Sequence, residues 1–223
     1  MKNTFFLIFL ASLFFGCKTE NKKNAETEKE QSILEKVAHA HGFDHWKKVT
    51  EIHFTFNVDR DSTHFERSWV WHPKTNDVEY RHKNDTVIYN RHRVDSLSMV
   101  ADKGFINDKY WLLSPFNLIW DKGFTYEHSE KATAPISMKE LQKLTIVYGN
   151  EGGYTPGDAY DFYFGDDYLI QEWTYRKGNT PEPSLTTTWE GYKDLNGIKI
   201  ATVRNRDTGN WKLYFTELSV EVK

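Results

Sequence analysis

Much of this chain repeats with a period of two. Ile52, Phe54, Phe56 and Val58 alternate with His53, Thr55 and Asn57, which puts the apolar side chains on one side and the polar ones on the other. An extended strand sorts such a run onto a single buried face, because its successive side chains point in opposite directions. Strand-like runs recur at 64–72, 77–82 and 86–91, the last two joined by a tight turn at Asn84-Asp85. Others follow at about 123–129, 141–149, 158–164, 168–176, 184–193, 197–205 and 210–222. Gly165-Asp166, Asn196-Gly197 and Asp207-Thr208-Gly209 supply turn chemistry between them. The pattern predicts a mainly β fold, an antiparallel meander of about eleven strands curled into a barrel or half-barrel.

The last of these runs changes phase. Trp211, Leu213 and Phe215 share one face, and after Thr216-Glu217 the apolar set resumes at Leu218, Val220 and Val222. One extra residue there restores a continuous apolar face, so a β-bulge is expected near Thr216-Glu217. Two segments keep a helical period instead. Ile33, Leu34, Val37 and Ala40 predict a short N-terminal helix over 32–41, with Ser32 as cap and Gly42 as stop. Between the fourth and fifth strands, 94–120 does not alternate. Asp95–Asp102 reads as one helical turn, and Asn107 as the cap of a second helix running to Pro115 or beyond. Within this insertion lies YWLLSPFNLIW (110–120), nine of whose eleven residues are apolar or aromatic.

The chain opens MKNTFFLIFLASLFFG and then has its single cysteine, Cys17. The apolar run Phe5–Phe15 is far shorter than the roughly 20 residues a bilayer-spanning helix needs, so 1–16 is expected to be a signal peptide. A small residue followed by cysteine at the end of such a run resembles the bacterial lipobox, in which that cysteine is lipidated. A lone cysteine has no internal disulfide partner to give it a structural role. Lys18 stands where the inner-membrane retention signal of enteric bacteria has Asp, which points to the outer membrane. Residues 18–31, KTENKKNAETEKEQ, hold no aromatic or branched aliphatic side chain and read as a solvated tether. The expected organisation is therefore a signal peptide over 1–16, a lipidated Cys17 with its tether over 17–31, and one domain over 32–223. Without the first sixteen residues, 28 Lys and Arg face 32 Asp and Glu, a formal charge of −4. Nucleic-acid binders carry a strong basic excess, so nucleic acid is not an expected partner.

HGFDHW (41–46), YWLLSPFNLIWDKG (110–123) and GYKDLNGIKI (191–200) are similar to motifs of an uncharacterised family of bacterial envelope lipoproteins. That family resembles the lipoprotein carriers LolA and LolB, half-barrels of about eleven strands whose concave apolar face is closed by a helical lid. The resemblance spans the whole domain. It implies a membrane-anchored protein that binds or shuttles an acyl chain, a lipid or a lipidated protein.

Trp111, Leu112, Phe116, Ile119 and Trp120 are then the lid candidates. Trp69, Trp71, Tyr80, Trp173, Tyr175 and Trp189 lie on strands whose period places several of them on the concave face. Aromatic-rich clefts commonly line apolar ligand pockets. Two readings stay open: a hollow that holds a ligand beneath 110–120, or a barrel filled by its own side chains, with an outer face that docks a protein or glycan. His39, His41 and His45 cluster around Asp44, but positions two apart on a helix diverge by about 200°. A metal site is therefore not expected, and His41 reads as a hydrogen-bonding residue at the helix end. The chain lacks a nucleophile elbow, a zinc-protease motif and a phosphate-binding glycine loop. Asp158, Asp161, Asp166 and Asp167 read as a solvated acidic turn. Neither catalysis nor a cofactor is expected.

Overall fold

The computed structural model describes residues 30–150 and 155–223, so the expected signal peptide, Cys17 and the tether up to residue 29 lie outside the described residues. Residues Gln31–Lys223 form one compact unit. Its first helix, α1, spans Ile33–Ala40. Ser32 caps it as expected: Glu35 N donates to Ser32 Oγ at 3.3 Å, and Ser32 N donates to the Glu35 carboxylate at 2.7 Å. Gly42 then takes a left-handed backbone, φ 91°, and a 3₁₀ turn over Phe43–Lys48 leads into the sheet.

Four strands follow: β1 Val49–Arg60, β2 Thr63–His72, β3 Asp77–His82 and β4 Asp85–Asn90. The β3–β4 turn sits on Lys83-Asn84, one residue before its expected place, and Lys83 takes φ 53°. After helix α2, Met99–Trp120, come β5 Phe124–Thr133, β6 Glu140–Tyr148, β7 Ala159–Phe164 and β8 Ile170–Arg176. The chain ends with β9 Leu185–Thr188, β10 Glu190–Leu195, β11 Ile198–Asn205 and β12 Trp211–Val222. Neighbours pair antiparallel in two sheets, β10-β11-β12-β1-β2-β3-β4 and β5-β6-β7-β8-β9. The wall does not close. β4 and β5 are among the edges left, and the result is a mainly β half-barrel.

The described strands number twelve, because the run expected over 184–193 is broken at Trp189. Trp189 N still donates to Gln171 O of β8, at 2.7 Å. Gly191 then takes φ 65°, where a Cβ would stand 2.7 Å from Thr202 Oγ1. The chain swings there from one sheet to the other, and an isolated Thr187–Arg206 bridge ties the two at this seam. The bulge in β12 is where the phase change puts it. Between the pairs His53–Ser219 and Thr55–Thr216 the register slips by one residue, and Glu217 takes φ 47°.

The insertion differs from its expectation. It holds one helix of 22 residues, α2, with a kink at Leu113, instead of two short ones. Asn107 is interior to it, and Ser98 occupies the cap position after an Asp95 turn whose carboxylate accepts from Ser98 N at 2.8 Å. Fourteen of its 22 residues are buried. A helix surrounded on most sides has no need of the polar stripe that makes helical periodicity readable. Its rings meet both sheets. Phe105 packs on Trp69 and Trp71 at 5.4 Å each, while Trp111 packs on Trp173 at 4.7 Å.

Candidate ligand site

The rings predicted to line a hollow instead fill the centre of the half-barrel. Trp69, Trp71, Trp111, Leu112, Phe116, Trp173 and Trp189 are all buried. Tyr80 lies half-buried against Trp69 at 4.9 Å, and Ile119 and Trp120 are half-buried at the end of α2. Phe116 meets Phe43, Trp46 and Trp120 at 5.3, 5.7 and 5.5 Å. Tyr175 is half-buried against Tyr160 at 5.3 Å. Of the eleven predicted positions, Trp120 lines a cavity of appreciable size.

The three quoted motifs converge at one end of the half-barrel. Phe43 and Trp46 of the first grip Phe116 and Trp120 of the second. Lys199 N of the third donates to His41 O at 3.0 Å. The glycines are required by this approach: a Cβ on Gly42 would stand 1.8 Å from Gly197 O, and one on Gly197 would stand 2.6 Å from the His45 ring. His41 is buried here. Its Nδ1 contacts Val37 O at 2.8 Å, and its Nε2 lies 3.0 Å from the Tyr192 hydroxyl, which also reaches Ile170 O at 2.7 Å. Burial holds its pKa down at about 4, so at neutral pH the ring is uncharged, with Nδ1–H donating to Val37 O.

Two buried polar contacts fix α2. Arg67 on β2 grips the Asp108 carboxylate with two N–H groups at 2.6 Å each, and Trp69 Nε1 donates to it at 2.8 Å. Burial pushes the Asp108 carboxyl up, against the pull of Arg67 and the indole. Gly104 leaves room for the guanidinium, since a Cβ there would be 2.7 Å from Arg67 Nη1. The second contact answers Pro115. Proline has no N–H, so the carbonyl of Trp111, four residues earlier, loses its helical donor. Arg204 Nη2 replaces it at 3.0 Å, while the guanidinium lies 3.6 Å from the centre of the Trp189 ring. Burial lowers the Arg204 pKa to about 9. Sequence reasoning missed both contacts. An aspartate inside an otherwise buried helix was the available signal, but its partner lies 41 residues away in sequence.

Open space lies on the other side of α2. A cleft of about 640 Å³ runs between the helix and the second sheet. Lys103, Ile106, Asn107, Tyr110 and Asn117 follow helical spacing along one flank, and Tyr148 and Tyr160 stand opposite on β6 and β7. Tyr110 meets Tyr160 at 5.1 Å, and Tyr160 meets Tyr148 at 5.8 Å, so the floor is a run of phenol rings. Burial pushes all three phenols up, Tyr160 to about 12, and they remain neutral. Tyr148 donates to Asp121 Oδ2 at 2.6 Å, and the charge on Asp121 adds to that upward shift. Lys109 places its ammonium 5.1 Å over the Trp120 ring. Burial first, and then the charge of Arg91, lowers the Lys109 pKa to about 8.

The other sequence candidates disperse. His39 pairs with Asp44 at 2.8 Å, away from His41, and among the described residues no three metal-type ligands converge. The acidic group is only partly solvated. Asp166 and Asp167 are exposed in the β7–β8 turn, but Asp158 and Asp161 are buried on its approach. Asp158 accepts from the Tyr175 hydroxyl and Gly178 N at 2.7 Å each, and Asp161 pairs with Arg176 at 3.0 Å. Both therefore brace β7 against β8 and the turn that follows.

No family model and no curated protein matches the chain. Among solved structures, it is similar to a DUF1329 family protein from Desulfovibrio piger, with a TM-score of 0.50 and 10% identity, covering 85% of this chain and 92% of that one. It is also similar to a LolA superfamily protein from Nitrosomonas europaea, with a TM-score of 0.51 and 10% identity over 86% and 94% of the two chains. At such identity the likeness concerns architecture alone, and the architecture is LolA-like.

Proposed function

We propose that this protein is an envelope lipoprotein, tethered through Cys17 and directed to the outer membrane by Lys18, that binds or shuttles a hydrophobic ligand without catalysing a reaction. The ligand is an acyl chain, a lipid or a lipidated protein. The observation that carries the reading is the cleft of about 640 Å³ floored by Tyr110, Tyr148 and Tyr160. Its volume and aromatic lining suit a small apolar guest. The guest lies beside α2, where Trp111 packs on Trp173 and Trp173 stacks on Tyr160 of the cleft floor.

The alternative, a docking module with a self-filled barrel, draws on a different observation: the packing of Trp69, Trp111, Trp173 and Phe116 in the centre. Native mass spectrometry of the purified protein separates the two. A copurified lipid or acyl species, with a rise in melting temperature on adding it back, is expected. A protein that is always empty and shows no thermal response to lipids refutes the carrier reading. Labelling cells with an alkyne fatty acid tests the anchor, and Cys17→Ser is expected to abolish incorporation.

A further inference from the structure

The cleft is as cationic as it is aromatic. Arg91, Lys103, Lys109 and Lys122 line it against a single lining carboxylate, Asp121. Two of these charges are already engaged. Arg91 pairs with Asp102 at 2.9 Å, and Asp121 accepts from Tyr148 at 2.6 Å and from Asn117 Nδ2 at 3.0 Å. Among the described residues, the ion pairs include none for Lys103, Lys109 or Lys122. Lys103 and Lys122 are exposed at the mouth, whereas Lys109 is half-buried with its ammonium over Trp120. A charge drawn out of water without a carboxylate partner is costly unless another anion meets it.

We propose that this cleft binds an anionic single-chain amphiphile, with its carboxylate or phosphate head at Lys109 between Lys103 and Lys122 and its tail along Tyr110, Tyr160 and Ile106. The inference rests on the proposed function and narrows it to one chemical class. The size of the space agrees: at roughly 30 Å³ per atom-sized group, the share of a water molecule in the liquid, the 640 Å³ cleft takes about twenty non-hydrogen atoms. That is one acyl chain with its head. The lowered Lys109 pKa is the companion sign, since a bound anion would stabilise the charge that burial now disfavours.

The test compares palmitate, hexadecanol, hexadecyl phosphate and inorganic phosphate for binding to the purified protein by tryptophan fluorescence and calorimetry. The two anionic amphiphiles are expected to bind at least about tenfold more tightly than the alcohol, as a charge-assisted contact predicts. Lys109→Met should erase that preference and leave the alcohol's affinity within about twofold. The double variant Lys103→Gln, Lys122→Gln, at exposed positions, should reduce the preference with no change in melting temperature. Equal affinity for acid and alcohol, or a preference unmoved by both variants, overturns the head site and leaves the hydrophobic-ligand reading standing. Inorganic phosphate binding as tightly as hexadecyl phosphate identifies a free-anion site and overturns the amphiphile. Binding of none of the four refutes the carrier reading and this inference together.

Discussion

Replacing Phe116 by Ala decides whether α2 is a fixed part of the core or a cover that lifts. The ring is 1% exposed and touches Phe43, Trp46 and Trp120 edge-on, at 5.3 to 5.7 Å. Truncating a buried Phe typically costs about 3–5 kcal/mol, the cavity term included. The upper part of that range applies here, because Phe43 packs on His39 of α1 at 6.0 Å and Trp46 on Trp71 of β2 at 5.4 Å, which leaves these rings little freedom to collapse into the gap. Aromatic pairs lost with the ring work in the same direction, at about 0.5–1.5 kcal/mol each. A loss of about 4–5 kcal/mol is therefore expected, a large share of the 5–15 kcal/mol typical of a domain. At about 2–4 °C per kcal/mol, the melting temperature should fall by roughly 10–20 °C. Urea unfolding followed by the fluorescence of the eight tryptophans measures it, with Ile88→Ala, 74% exposed, as the control expected to stay within about 0.5 kcal/mol. A loss under about 1.5 kcal/mol at unchanged denaturant slope would show that the ring rests on a movable cover, and the packed-core argument would fail.

Two further perturbations test the parts around it. Asp108→Ala leaves the Arg67 guanidinium and the Trp69 indole N–H without their shared acceptor and should cost about 3–5 kcal/mol. The paired change Arg67→Met, Asp108→Leu should recover most of that loss in the same urea titration, and a single-variant cost under about 1 kcal/mol would contradict the assignment. His41 sets a pH dependence. Its folded pKa of about 4 lies below the ordinary 6.5, so between those values the unfolded chain holds more protons and stability falls as pH falls. The size follows from the shift, roughly 3 kcal/mol across that window. Comparing wild type with His41→Gln from pH 7 to 4 isolates the effect, and parallel curves would refute it.

Most of the sheet was legible, and the reasons are local. Period two marks a half-buried strand wherever one face meets a core, as in Ile52–Val58, and a phase change marks a bulge, as at Glu217. The break at Trp189 was not legible, because apolar spacing carries through a residue where the chain changes sheets. The helix α2 was misread as two because it is enclosed and so lacks a polar stripe, while Pro115 suggested an end that Arg204 in fact repairs from a distant strand. The site shows the same division. Aromatic content located the core, but the cleft depends on which side of α2 the second sheet leaves uncovered, and spacing along the chain does not encode that. Nothing in their spacing marks Lys103 and Lys109, because Tyr148 and Tyr160 come to share the cleft with them only through the fold.

A wall that stops short of a full turn leaves raw margins, β4 and β5 among them, where backbone amides and carbonyls are offered to any passing chain. The β5 margin is defended by its own irregularity. Its pairing to β6 slips between Ser129 and Ala132, and Glu127, Glu130 and Lys131 stand exposed along it. A foreign β-segment laid there would have to flatten that step and crowd its side chains among those charges. The margin at β4 is merely short, with Ile88 bare to solvent. Of these two margins, the β4 side is the one that offers less resistance to a copy of the molecule.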